Sequence, residues 1–155
     1  MTTVDTRIRA DRIRKVVALL RDRRGQWDQR NWGYRTACGT TFCFAGWTAL
    51  LYAPDQVRWV ADRNADDSSA AWYLTGNPHP EQLAQEALGL SGTEAYWIFM
   101  FTHPDGNELR PVELDELEAK ITEVTGVTFD DLPPAPNLPP AAVSLLTYRT
   151  PAGVD

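Results

Sequence analysis

Between Thr6 and Arg24 the apolar residues Ile8, Ile13, Val16, Val17 and Leu20 recur near the 3.6-residue period, with arginines on the other faces. The pattern predicts an amphipathic helix that lays one stripe on a core and stops at Gly25. Gln26 to Ala37 breaks the period and reads as a loop. It carries Trp27, Trp32 and Tyr34, which are too apolar to be left in water and are expected to close over the next element. That element is a helix over about Phe42 to Tyr52, with Thr40 or Thr41 as its cap. Asp55 to Asp62 reads as a short helix, 64–69 as a polar interruption, and Ala70 to Leu74 as one more turn.

Stop and start signals are stronger in the second half. Pro80 to Leu88 has proline in the first turn, Glu81 near the positive end and Gly89 as a stop. Ser91 caps a helix from Gly92 to Phe101. Pro111 and Glu113 open a last helix, with Leu114, Leu117, Ile121 and Val124 on one face and Gly126 as its terminator. Beyond Asp131 the prolines forbid helix continuation and predict an extended, partly polyproline II segment. The expected fold is mainly α: a compact single-domain helical bundle over 1–131, followed by an extended proline-rich tail over 132–155.

The densest local signal is Cys38 to Trp47, CGTTFCFAGW, which contains both cysteines of the chain. Gly39 supplies a turn, and Ala45, Gly46 and Ala49 leave a low-bulk face on which another backbone can approach the helix. Phe42, Trp47, Leu50 and Leu51 supply apolar area, so this helix is expected at the centre of the core. The stretch resembles a group of small, uncharacterised bacteriophage and bacterial proteins carrying C-G-T-x-x-C-[aliphatic or aromatic]-A-G-[W or H]. Cys38, Gly39, Thr40, Cys43, Ala45, Gly46 and Trp47 match that motif, with Phe44 replacing the usual aliphatic residue. The resemblance covers about residues 8 to 103. It implies an architecture and a phage or prophage setting and carries no catalytic role.

A chain of 155 residues, 43% of them hydrophobic, suffices for one folded domain. No apolar run reaches bilayer length and residues 1–15 lack a secretory apolar segment, so the expected location is the cytoplasm, the host's if the chain is phage-encoded, with no membrane partner. Only Lys15 and Lys120 represent lysine, and this arginine bias fits a GC-rich actinobacterial host or its phage. The net charge of -6 conceals a balance of +6 up to residue 35 and -12 beyond it. A basic first helix, with Arg7, Arg14 and Arg21, either binds nucleic acid nonspecifically or complements its own acidic domain; the second is preferred.

The chemical readings are thin. Cys38 or Cys43 beside a helix N-terminus, with His79 or His103 as base, has the residue types of a thiol enzyme, but no downstream signature supports the pairing. The same four residues make a Cys2His2 set acceptable to zinc, yet twenty-three residues separate the histidines. Buried structural cysteines are the simpler reading. Gln82 to Ser91 resembles the first helix and turn of a helix-turn-helix. The following Glu94 to Met100 belongs in a core or a protein interface, not in a DNA groove. No phosphate-binding loop or HExxH is present.

No cofactor and no catalytic residue is therefore assigned. The expectation is a small phage-type accessory protein that acts by binding another protein, on a host or defence component. The binding candidates are Val143, Leu145, Leu146 and Tyr148 in the tail, with Trp27 and Trp32. A cysteine-dependent enzyme or zinc protein and a virion or assembly component are the alternatives.

Overall fold

The computed structural model describes residues 4–29, 32–36, 39–62, 71–102 and 112–147. Helix α1, Thr6–Asp22, starts where the Asp5 carboxylate accepts from the Ile8 amide at 2.9 Å. It buries Ile13, Val16, Val17 and Leu20 as its period requires, and Ala18 and Leu19 with them. Ile8 lies off the stripe and is 41% exposed. A 3-10 turn, Arg24–Gln26, follows directly, so the helix ends two residues before its expected limit.

The expectation of a helical bundle is overturned by a sheet. Strands β1 (Tyr34–Thr36), β2 (Gly39–Thr41), β3 (Val57–Ala61) and β4 (Trp72–Gly76) form one antiparallel sheet in the order β2-β1-β4-β3. The fold is mixed α and β. The stretch read as a helix at Asp55 to Asp62 holds β3, and the turn read over Ala70 to Leu74 falls largely on β4. Val57, Trp59 and Val60 pack well on a pleated surface, and their partners lie in WYLTG, beyond the loop. Five register pairs from Val57↔Gly76 to Ala61↔Trp72 make the match. β1 likewise lies inside the segment read as a loop.

Helix α2, Phe44–Tyr52, connects β2 to β3 and is the centre of the core, with every residue from Phe44 to Leu50 buried. α3 (Pro80–Leu88) packs along it and α1 also lies against it. Gly89 ends α3 in the left-handed region at φ 65°, as the stop signal predicts. α4, Gly92–Phe99, opens with a reciprocal box in which Ser91 and Glu94 satisfy each other's backbone amides. α5, Leu114–Thr125, packs on α4, buries Leu114, Leu117 and Ile121, and ends at Gly126.

The tail differs from the expected extended segment. Residues 132–139 form no regular element, and Pro140–Thr147 forms helix α6. Pro140 is tolerated at the first helical position because the amide it lacks would have no intrahelical partner there. Ala142 is fully buried, while Leu138, Leu145 and Leu146 pack against the core. The Trp59 indole donates to the Leu145 carbonyl at 2.9 Å. Residues 132–147 thus close on their own chain.

Candidate protein-interaction surface

The cysteine motif builds a packed junction. Gly39 and Thr40 lie in β2, and Cys38 lies outside the described residues. Because the ladder takes the threonines, the cap of α2 is Cys43, whose Sγ accepts from the Gly46 amide at 3.4 Å. Neither Thr40 nor Thr41 is the cap. Burial pushes the Cys43 thiol up to about 12, against the pull of its backbone hydrogen bonds. At neutral pH it is a protonated, sealed thiol, the opposite of the exposed, low-pKa thiolate that a nucleophile requires.

Gly46 lies directly under the Trp32 backbone. A Cβ built there would stand 1.8 Å from the Trp32 carbonyl oxygen. The low-bulk face of α2 is therefore used for a backbone crossing, with Ala45 and Ala49 buried beside it. Trp47 is fully buried, stacks edge-on to Phe42 at 4.8 Å between ring centroids, and donates its indole N–H to the Gln26 carbonyl. The loop does close over the helix, by backbone as well as rings. Trp27 and Trp32 are half-buried in this closure and pack against the core.

One residue of the junction carries no sequence signal. Gln29 is buried; its Oε1 accepts from the Phe44 amide at 3.1 Å and its Nε2 donates to the Ile98 and Phe99 carbonyls at 3.1 and 3.4 Å. One side chain thereby satisfies a free amide at the start of α2 and bonds the last carbonyls of α4, of which that of Ile98 also accepts from the Phe101 amide.

The helix so anchored presents the surface of interest. α4 is apolar on nearly every side. Ala95, Ile98 and Phe99 point into the core, while Tyr96, Trp97 and Met100 remain 57%, 51% and 50% exposed. The Tyr96 and Trp97 rings meet edge to face, and the Lys120 ammonium of α5 sits 5.2 Å from the Trp97 ring and 5.7 Å from Phe101. Tyrosine, tryptophan and methionine are enriched in protein interfaces. The sequence marks this stretch as core or interface; the structure buries one face and leaves the other exposed.

The other candidates fall differently. In the tail Val143 is 45% exposed, Leu145 and Leu146 are half-buried against the core, and Tyr148 lies outside the described residues. Two of the three tail candidates within view are thus used internally. His79 is exposed and caps α3, accepting from the Glu81 amide, and the Trp32 ring stands edge-on to it. His103 lies outside the described residues. Among those described, no three His, Cys, Asp or Glu side chains converge as a metal site.

The basic helix complements its own domain. Arg9 forms a two-pronged pair with Glu94, Arg12 donates to the Ala87 carbonyl and lies over the Tyr52 ring, Arg14 donates to the Thr128 carbonyl, and Arg21 pairs with Glu118. Of Arg7, Arg14 and Arg21, only Arg7 lacks a partner among the described residues. A cleft of about 710 Å³ beside this helix is lined by Arg21, Arg24, Trp27, Glu113, Asp115 and Glu118, among others. Its charges are mixed, and Glu118 is already neutralised by Arg21. No described helix is long and apolar enough to cross a membrane. No family model, curated protein or solved structure matches the chain.

Proposed function

We propose that this chain is an accessory binding protein of the phage type that docks a host protein through the outer face of α4. The observation that carries the reading is the exposure of Tyr96, Trp97 and Met100 on a helix whose opposite face is locked into the core. Two features support a built surface. The reciprocal Ser91 and Glu94 box, itself tied to Arg9, fixes the start of α4. Gln29 fixes its end. A rigid apolar platform loses little conformational freedom on binding. Catalysis by Cys43 has no such support, because its thiol is buried and protonated.

The test uses the full chain and a Trp97→Ala variant as parallel baits in host lysate, followed by titration of the purified partner by calorimetry. A central tryptophan at an interface contributes about 2 kcal/mol or more, so the variant should bind about thirtyfold more weakly while melting at the wild-type temperature. Equal affinity of the two chains for the same partner would remove α4 from the interface.

A further inference from the structure

The arm that follows α5 rests on its own chain as a ligand rests in a groove. Asp131, Pro134, Asn137 and Pro140 are exposed, and the two residues between each of these are half-buried. A repeat of three is that of polyproline II, which has three edges. Two edges therefore face the body and one faces solvent. The sequence enforces this shape before any packing: five prolines in 132–140 fix φ, and each residue that precedes a proline is steered out of the helical region. Leu132 and Leu138, two repeats apart on one edge, pack against the core, and α6 follows with Ala142 fully buried and Leu145 and Leu146 beside it. The attachment is made by side chains. Among the described residues no backbone-to-backbone hydrogen bond joins 128–147 to the rest of the chain. Two carbonyls are held, that of Thr128 by the Arg14 guanidinium and that of Leu145 by the Trp59 indole, each at 2.9 Å. Thr128, Asp130 and Asp131, which link the arm to α5, are exposed.

We propose that residues 132–147 are an exchangeable ligand of their own seat, and that the seat takes in trans a partner segment of the same chemistry. That segment is a proline-rich stretch of three-residue repeat, with leucines on its inner edge, running into a short apolar helix. The seated arm itself defines what the seat accepts. A segment whose shape is preset by proline loses little freedom on docking, and side-chain grooves that include an aromatic donor such as Trp59 recognise it in this mode. In the resting chain the tether keeps the arm at a high local concentration, so the seat admits only a concentrated or tighter competitor. This site is separate from the outer face of α4.

The probe is a labelled peptide of residues 129–147, titrated into the full chain by fluorescence anisotropy. Ala142→Glu in the chain puts a carboxylate into a fully buried position and should evict the arm. The evicted chain should bind the peptide about a hundredfold more tightly than wild type does, since the tethered competitor is gone, while circular dichroism shows only the loss of α6. Adding Trp59→Phe removes the indole donor and should weaken that binding about fivefold. A peptide that itself carries Ala142→Glu should bind neither chain. Hydrogen exchange of the wild type should show the α6 amides opening more often than those of α1 and α2. Equal affinity of the peptide for the two chains, no binding to a folded Ala142→Glu chain, unfolding of the whole chain by that substitution, or α6 protection equal to that of α1 would each overturn the proposal. Trp97→Ala should leave the exchange unchanged; peptide binding lost in that variant would place the peptide on α4 and overturn the seat. The α4 reading stands or falls separately, on partner binding by Trp97→Ala.

Discussion

Replacing Gly46 by alanine adds one methyl group and tests how the motif works. Two effects favour the substitution. Alanine is the better helix former by about 1 kcal/mol, and it narrows the unfolded ensemble. Sterics oppose it. The new Cβ would lie 1.8 Å from the Trp32 oxygen, 2.9 Å from the Trp32 carbonyl carbon and 3.1 Å from the Phe42 Cβ. The Trp32 peptide must retreat by more than an ångström, and the way back is closed. Gly33, next in the chain, is held by its carbonyl to the Leu74 amide at 2.9 Å, and a Cβ on Gly33 would itself meet Leu74 and Phe42 within 3 Å. Overpacking a site that can relax costs about 1 to 3 kcal/mol, and a backbone clash with no room to relax belongs at or above the top of that range. The net expectation is a loss of about 2 kcal/mol or more, a large part of a typical domain's stability. Urea denaturation followed by tryptophan fluorescence should show a lower midpoint with the slope preserved. Gly92→Ala is the matched control: it lies in the first turn of α4 with nothing within 4 Å of the new methyl, and should stay within about 0.5 kcal/mol of wild type. A midpoint for Gly46→Ala at or above the control would refute the close crossing of Trp32 over α2.

Gln29→Ala would strand the Phe44 amide and the Phe99 carbonyl in a buried setting, with an expected loss of about 1 to 3 kcal/mol. Chemical denaturation measures it, and hydrogen exchange should show faster opening at the end of α4 than in α1; a neutral effect would mean that the two groups find other partners. Cys43 predicts a pH effect of definite sign. Its folded value of about 12 lies above the ordinary 9.0, so the folded state holds a proton that the unfolded state releases. Its contribution is fully present below pH 9 and is lost as pH rises toward 12, at up to about 1.4 kcal/mol per unit. Subtracting the stability of Cys43→Ala at each pH removes the tyrosine and lysine titrations common to both; a flat difference from pH 8 to 11 would contradict a sealed thiol.

The elements that were legible in the sequence are those whose signals are local. Gly89, Ser91 and Gly126 mark helix ends within a few residues of the bonds they make, and the α1 stripe needs only its own period. The strands were not legible because their cause is distant. VRWVA and WYLTG become strands by pairing with each other and, through Tyr34 and Arg35, with a three-residue segment too short to carry an alternation. The capping error has the same root: the ladder that β1 and β2 form leaves Cys43 as the first residue free to cap α2. Gln29 is the extreme case. A glutamine in a loop reads as solvated, and its partners stand 15, 69 and 70 residues away.

These distant contacts connect the motif to the proposed surface. Gly46 admits the Trp32 backbone, and that crossing holds the loop from Gln26 over α2. Trp47 and Phe42 bond to the Gln26 carbonyl from below, and Asp28 donates its amide to the Phe42 carbonyl. Gln29, next in the chain, is thereby set at the start of α2, where it binds the last carbonyls of α4. The small-residue face therefore acts on Tyr96, Trp97 and Met100 without touching them, by fixing the helix that displays them. On this argument Gly46→Ala and Gln29→Ala should each weaken partner binding as well as stability. Trp97→Ala should weaken binding alone.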